Sequence, residues 1–152
     1  MSSQIDIFVE GNPKPQSRPR VSVRAGRGFA YNSDSKDMKA WKEALDASLK
    51  SISFGSFGSF GGPMHVELVF RLPRPKAHYR TGKFSHLLKD SAPGDEGSRC
   101  DVDNLSKVIL DKITRSGYWV DDSQVVFLSA RKRWAYCESA GCEIRVIPIE
   151  NK

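Results

Sequence analysis

The sequence predicts an α+β domain in which two main helices pack on a mixed β-sheet, giving two layers. Apolar and other residues alternate in several short runs, which is typical of strands with one buried face, and two longer runs repeat their apolar residues at helical spacing. The resulting order of strand, helix, strand, helix, strand, strand favours helices layered on one sheet. A chain of 152 residues is long enough for one core, so we assign residues 1–152 to a single domain.

The first half of the chain supplies two strands and one helix. Residues 4–9 alternate isoleucine and valine with other side chains, and a glycine bounds them, so they are expected to begin the sheet. Ser33 or Asp34 is expected to cap a helix that runs to about Lys50. Its apolar stripe predicts four core residues: Met38, Trp41, Leu45 and Leu49. Residues 66–72 then alternate most regularly, and Pro73 ends that strand.

The second half predicts one helix and two strands. From Asn104 onward apolar residues recur at helical spacing, at Leu105, Val108, Ile109 and Ile113. Asp103 is well placed to cap this helix, and Gly117 to stop it. Residues 125–128 are predicted to form a buried strand, with a basic patch at 131–133 directly after it. Residues 142–149 supply the last strand.

Three connections have compositions that favour a role in binding. Residues 11–20, the basic segment, contain three prolines, which exclude a regular element and leave Lys14, Arg18 and Arg20 for phosphate oxygens, a solvated charge run being the alternative. A Ser-Phe-Gly repeat at 53–61 is expected to be a mobile loop whose phenylalanines cover the core, cover a second subunit or stack on bases. Residues 74–99 lack a clean period and precede a pair of acids, so we expect a flap that faces the substrate and orders on DNA.

Composition limits the functional classes. A net charge of +6 favours an anionic partner, nucleic acid first, although simple solubility would also explain it. The three cysteines are an odd number without a Cys-x-x-Cys pair, and the histidines lie far apart, which disfavours zinc. No signal-like amino terminus or membrane-length apolar run is present, so a reducing, cytoplasmic location is expected.

Two pairs of acids flank the second predicted helix. Asp101 and Asp103 precede it, and Asp121 and Asp122 follow it after a short return segment. Lys107 lies one turn beyond Asp103, so a cation is expected beside the acids. In an extended segment Asp101 and Asp103 would point the same way and share one ligand. Converging carboxylates resist ionisation unless a cation neutralises them, which favours Mg²⁺, with Mn²⁺ as a substitute.

The same acids also have purely structural interpretations. An Asp before a helix is commonly a cap, and Asp-Asp-Ser is a common turn. A calcium loop fits poorly, because Leu105 and Ser106 stand where an oxygen ligand and a glycine are needed. A sugar-nucleotide-binding Asp-x-Asp is discounted because the chain is short for such a transferase.

Three runs of sequence resemble the signature of the RusA Holliday junction resolvases. They are Asp-Val-Asp-Asn-Leu-Ser-Lys at 101–107, Leu-Asp at 110–111 and Gly-Tyr-Trp-Val-Asp-Asp-Ser-Gln-Val at 117–125. Gly-x-Pro-x-Pro-x-x-Arg-Pro-Arg at 11–20 also resembles phage-type members of that family, which implies that the cytoplasm is that of a bacterial or phage-infected host cell. The resemblance implies a RusA-like fold and a homodimeric endodeoxyribonuclease that resolves four-way DNA junctions by paired, metal-dependent nicks in recombination and repair.

On the family pattern, four residues correspond to the catalytic set. Asp101, Asp103 and Asp122 match the metal-binding acids, and Lys107 matches the essential lysine. Lys132 lies near a position where the family carries a lysine, so it joins Lys14, Arg18 and Arg20 as a predicted DNA contact.

Two other functions stay open at this point. The chain could be a non-catalytic module that binds branched DNA, or the same nuclease chemistry could act on flaps, forks or duplex. The long connection at 74–99, and Cys100 where Pro or a basic residue was expected, depart from the family pattern and leave the substrate range open.

Overall fold

The computed structural model of the protein describes residues 4–17, 20–31, 34–52 and 59–150. Within these ranges it contains six strands and two main helices: β1 (Ile5–Glu10), β2 (Arg20–Arg24), β3 (Arg27–Tyr31), α1 (Lys36–Lys50), β4 (Met64–Leu72), α2 (Val102–Ser116), β5 (Val125–Trp134) and β6 (Gly141–Pro148). The predicted α+β, two-layer class is confirmed. None of the helices in the described part of the chain is long and apolar enough to cross a membrane.

Four strands form one mixed sheet in the order β1-β6-β4-β5. β6 pairs antiparallel with both β1 and β4, whereas β4 and β5 are parallel. A parallel pair needs a long crossover connection, and here that connection contains α2. The acids before and after α2 therefore belong to one crossover, which begins and ends at neighbouring strands.

The core lies between the helices and one face of this sheet. Every second residue of β4, from Met64 to Leu72, is buried. α1 buries the four residues predicted for it: Met38, Trp41, Leu45 and Leu49. α2 likewise buries the predicted Leu105, Val108, Ile109 and Ile113, together with Ser106 and Lys112. These apolar stripes confirm the helical periodicities, because a helix covers a sheet with one face only.

Both helices begin at residues other than those predicted. The cap of α1 is Ser35, whose hydroxyl accepts a hydrogen bond from the third residue of the helix, and not Ser33 or Asp34. The cap of α2 is Asp101, so Asp103 lies inside the first turn. Asp101 has extended backbone angles, as a cap residue does, and its carbonyl accepts the first helical hydrogen bond.

β5 lies at the edge of the sheet, and the prediction that its first half is buried is wrong. Val126, Phe127 and Leu128 are 65%, 54% and 44% exposed. The strand also continues through the basic residues 131–133 to Trp134, so these residues do not follow the strand but form part of it. Within the described residues β5 has a strand neighbour on one side only, which explains the exposure.

A second, two-stranded sheet was not predicted. β2 and β3 form a hairpin over residues 20–31. Of these residues the predicted basic segment included Arg20 alone, and no element was predicted for the rest. Ala25 and Gly26, with φ of 51° and 74°, form its two-residue turn. Positive φ at both turn positions matches the twist of paired strands, so the hairpin closes tightly.

Gly11 is the point where β1 gives way to the basic segment. Its φ is 156°, and a Cβ on it would lie 2.9 Å from Cε3 of Trp41, a residue that is 1% exposed. Its N–H donates to the carbonyl of Ala140 at 3.0 Å. The start of the basic segment is thus held between α1 and the loop before β6.

We expect Gly11→Ala to lower the free energy of unfolding by about 1–3 kcal/mol, because the new methyl collides with a core indole. Gly61→Ala is the matched control, since a Cβ there meets no atom within 4 Å. The control should stay within about 0.5 kcal/mol of the wild type. Urea unfolding curves measure both, and equal losses for the two variants would contradict the close contact.

Candidate nucleic-acid and metal site

The outer side of α2 carries a row of charged residues. Asp103 and Lys107 are exposed and Asp111 is half-buried, on the side away from the core stripe. Steps of four residues place them one above the other along the helix. Gly117 then ends α2 in the left-handed conformation, with φ of 83°, as predicted.

Asp101 and Asp103 lie at the amino-terminal end of α2. The expectation that they share a ligand through strand alternation is wrong in its geometry, because the chain becomes helical one residue after Asp101. The unpaired N–H groups of a helix amino terminus favour negative charge, so this position stabilises both carboxylates. The amide Nδ2 of Asn104 also lies 3.4 Å from Oδ2 of Asp101.

The second acid pair sits on a short turn that one glutamine holds in place. Oε1 of Gln124 accepts from the N–H groups of Val120 and Asp121 at 2.8 and 3.0 Å. Its Nε2 donates to the carbonyls of Phe60 and Gly62 at 2.7 and 2.8 Å. Gln124 therefore ties the turn to the segment before β4. The sequence analysis missed this role, because the partners of Nε2 lie far away along the chain.

The return segment between α2 and this turn is anchored in the core. Tyr118 and Trp119 are fully buried, and Trp119 Nε1 donates to the hydroxyl of Thr114 at 2.6 Å. Burial raises the pKa of Tyr118 to about 12. The exposed acids that follow are thus carried on a rigid base.

The two acids of the turn differ in their ionisation. The pKa of Asp122 is raised, first by its hydrogen bond with Asp121, then by burial and by the charges of Asp121 and Asp111, while Lys107 opposes the rise. The pKa of Asp121 is lowered, mainly by the hydrogen bond with Asp122 and by bonds to Ser123. Asp122 therefore lies within electrostatic range of Lys107 and Asp111, which joins the turn to the charged row on α2.

The carboxylates of the two acid pairs are suitable ligands for a hard divalent cation, but a single chain does not bring them together around one point. Carboxylate oxygens are the ligands that Mg²⁺ prefers, and the acidic neighbours that raise the pKa of Asp122 create a repulsion that a cation would relieve. Yet across residues 4–17, 20–31, 34–52 and 59–150, no three His, Cys, Asp or Glu side chains lie close enough to hold a metal.

The basic segment docks on the start of α2. The N–H of Gln16 donates to the carbonyl of Asn104 at 3.0 Å, so the two residues lie side by side. Lys14, two residues earlier, is half-buried. Arg18 lies outside the described residues, and Arg20 is described by its backbone as the first residue of β2. The hairpin then presents exposed Arg24 and Arg27 on either side of its turn.

Lys132 contacts its own chain. Its side chain is half-buried, and Nζ donates to the carbonyls of Ser98 and Cys100 at 2.8 Å each. Both carbonyls belong to the segment that leads into Asp101. The predicted DNA contact of Lys132 stays a prediction, and the contact with residues 98–100 is one that sequence reasoning missed.

The segment from 73 to 100 is organised by contacts within the chain. It forms 3-10 turns at 76–78, 82–84 and 95–97. Nη1 of Arg74 donates to the carbonyl of Pro93 at 2.8 Å, and Nε1 of Trp134 donates to the carbonyl of Gly94 at 2.9 Å. The expectation of a flap that orders on DNA remains a prediction.

Among the phenylalanines of the Ser-Phe-Gly repeat, the structure describes Phe60. It is half-buried against the core, and its ring lies 5.1 Å from that of Tyr118. Covering the core, one of the three roles expected for these phenylalanines, is therefore confirmed for Phe60. Phe54 and Phe57 lie outside the described residues.

Comparison with known proteins identifies one family over nearly the whole chain. A family model described as endodeoxyribonuclease RusA matches residues 10–147. The chain is also similar to the uncharacterized protein YqaN of Bacillus subtilis (strain 168), with 28% identity over 147 residues, which cover 93% of this chain and 94% of that protein. The family match includes both acid pairs, the charged row of α2, Lys132 and all but the first strand of the sheet.

We expect Gln124→Ala to loosen the turn that carries the second acid pair. Loss of its four hydrogen bonds should lower the free energy of unfolding by about 2 kcal/mol. Amide hydrogen exchange at Val120 and Asp121 should also speed up. Ser129→Ala, at an exposed position of β5, is the control and should leave both measurements unchanged. Unaltered exchange at those two amides in Gln124→Ala would show that the turn is held by other contacts.

Proposed function

The chain belongs to the RusA family of endodeoxyribonucleases, and from this premise we propose that it resolves four-way Holliday junctions in DNA recombination and repair. The reaction is hydrolysis of a phosphodiester bond in each of two opposed strands, giving paired symmetric nicks. Opposed strands of a two-fold symmetric junction need two active sites in matching positions. The proposal therefore includes a homodimer with two-fold symmetry.

The observation that carries the proposal is the contact between the basic segment and the start of α2. The hydrogen bond from Gln16 to Asn104 holds a segment with predicted phosphate contacts beside the helix end that carries Asp101 and Asp103. Arginine and lysine supply affinity for the DNA backbone. Asp101 and Asp103 would therefore lie next to a phosphate that the basic side chains of this segment bind.

We propose that Asp101, Asp103 and Asp122, which the unliganded single chain does not gather around one point, come together when they bind a divalent cation, Mg²⁺ with Mn²⁺ as a substitute. When bound, such a cation supplies Lewis-acid stabilisation of negative charge on the phosphate. Lys107, whose charge already reaches Asp122, would offset the charge that builds on the phosphate in the transition state. Asp121 caps the turn that presents Asp122.

Two other functions make different predictions. A non-catalytic module would bind branched DNA without any dependence on metal, with its acids serving as caps. The same chemistry directed at flaps, forks or duplex would cut those substrates as well as it cuts a junction. Substrate choice and metal dependence therefore separate the three.

The discriminating experiment incubates the protein with a synthetic four-way junction and a matched linear duplex, in Mg²⁺, in Mn²⁺ or in EDTA, and maps the products on every strand. Paired nicks on opposed strands of the junction, absent from the duplex and from EDTA, are expected. Tight binding of the junction without cutting in Mg²⁺ or Mn²⁺ would favour the binding module. Equal cutting of the duplex would remove the junction selectivity.

Asp103→Asn should lower the cutting rate by on the order of 10²-fold or more, because a neutral amide is a poor ligand for the cation and no longer balances its charge. Junction affinity should be unchanged or slightly tighter, since one negative charge is removed from a surface that binds DNA. Asp6→Asn, at an exposed position of β1, is the matched control and should cut at the wild-type rate. Wild-type cutting by Asp103→Asn would remove that residue from the site.

Lys14→Gln should weaken junction binding and reduce the slope of log affinity against log salt by about 1, because one phosphate contact is lost. Cutting at saturating protein should be retained. Lys39→Gln, exposed on α1, is the control for the loss of one positive charge, and it should leave the slope unchanged. Equal effects of the two substitutions would indicate a general charge effect and no local contact.

A further inference from the structure

We propose that Lys132 is a positioning residue, whose ammonium fixes the backbone that carries Asp101. The proposal concerns the same site as the function proposed above and rests on it. It assigns Lys132 a role inside the protein in place of a contact with the DNA backbone.

The geometry is that of an ammonium between two carbonyls. Nζ of Lys132 lies 2.8 Å from the carbonyl oxygens of both Ser98 and Cys100. The carbonyl of Cys100 and the N–H of Asp101 belong to one planar peptide unit. A charged donor on that carbonyl therefore fixes the plane from which the Asp101 side chain departs.

The orientation of the peptide between Cys100 and Asp101 matters, because Asp101 has two roles. It caps α2, and its carbonyl accepts from the N–H of Leu105 at 3.0 Å. It also carries one of the proposed metal-binding carboxylates. A rotation of the peptide before it would move that carboxylate relative to Asp103, which is held by the helix itself.

Lys132 belongs to a larger clamp between β5 and residues 93–100. Trp134, two residues further and on the same side of the strand, donates its N–H to Oδ1 of Asp95 and its Nε1–H to the carbonyl of Gly94, both at 2.9 Å. The guanidinium of Arg74 lies 5.2 Å from the ring of Trp134. The segment that leads into Asp101 forms neither a strand nor an α-helix over these residues, so β5 is its rigid support.

The base of Lys132 is itself rigid. β5 pairs with β4 along its length, and Lys132 lies opposite Phe70, which is fully buried. An ammonium has three N–H donors, and two of them are used by the carbonyls. Turning the group toward a phosphate would break charge-assisted bonds in a half-buried position, which favours the internal role.

The test compares two variants. Lys132→Met removes the N–H donors but keeps an unbranched side chain of similar length, and Lys132→Arg keeps charged N–H donors. Three properties are measured for each variant: amide hydrogen exchange without DNA or metal at Leu105 and Trp134, whose N–H groups donate to Asp101 and Asp95, junction affinity as a function of salt, and the single-turnover cutting rate at saturating protein. Asp103→Asn serves as the reference for loss of cutting without loss of binding.

For Lys132→Met we expect exchange at the amides of Leu105 and Trp134 to increase at least about tenfold, and cutting at saturation to fall by about 10- to 100-fold. Junction affinity should stay within about twofold, with an unchanged salt slope. Lys132→Arg should restore protection and most of the cutting rate. A role in general stability alone would not give this division between cutting and binding, nor the rescue by arginine.

Three results would overturn the proposal. The first is weaker junction binding with a salt slope reduced by about 1 and normal cutting at saturation, which is the behaviour of a phosphate contact. The second is unchanged exchange at the amides of Leu105 and Trp134, and this result stands whether or not the wild type cuts a junction. If the wild type cuts nothing, the proposed function fails while exchange still decides the role of Lys132. If Lys132→Met does not fold, Lys132→Gln replaces it in the test. Unchanged exchange and an unchanged cutting rate in Lys132→Gln are the third result that would overturn the proposal.

Discussion

The parallel pairing of β4 with β5 is the constraint on which the rest of this structure depends. Two parallel neighbours cannot be joined by a tight turn, so the chain must leave the end of β4 and return to the start of β5. Residues 73–124 make that return, and α2 is the part that packs back on the sheet. The acids lie at the two ends of α2 as a consequence, and burial of one face of the helix fixes both ends.

The residues of the candidate site are exposed, as groups that meet a substrate must be, and neighbours that are more buried hold them in place. Asp122 is exposed, but it follows the buried Trp119 and precedes Gln124, which has four hydrogen bonds. Asp101 is exposed too, and Lys132 holds the peptide before it. Rigid partners of this kind are what precise placement of catalytic groups requires.

Charge is distributed so that acids are concentrated within a basic protein. The net charge of the protein is +6. The pKa of Asp122 is nevertheless raised by its acidic neighbours, and Lys107 opposes this rise. The basic segment lies beside the acids, because the N–H of Gln16 donates to the carbonyl of Asn104 on α2. In the proposed complex, a DNA backbone bound by these basic side chains would therefore lie next to the carboxylates. The repulsion among the carboxylates favours binding of a metal cation.

Local residue patterns were enough to predict most of the individual elements: both helices with their core stripes, the strands at 4–9, 66–72 and 142–149, and the end of α2 at Gly117. Local periodicity suffices there, because each element buries one face whatever lies opposite. The helix starts were displaced by one or two residues, since several polar residues in a row can each serve as a cap. The hairpin of β2 and β3 was missed, because no element was assigned between the basic segment, which ends at Arg20, and the first helix.

The strand that lies at the edge of the sheet is set by the order in which the strands pair. Val126, Phe127 and Leu128 of this edge strand are exposed, although the apolar run had predicted burial. The same holds for the contacts that support the site. Gln124 reaches Phe60, and Lys132 reaches Ser98 and Cys100, across long separations in sequence. The order of the strands brings these partners together, and no local pattern of residues records that order.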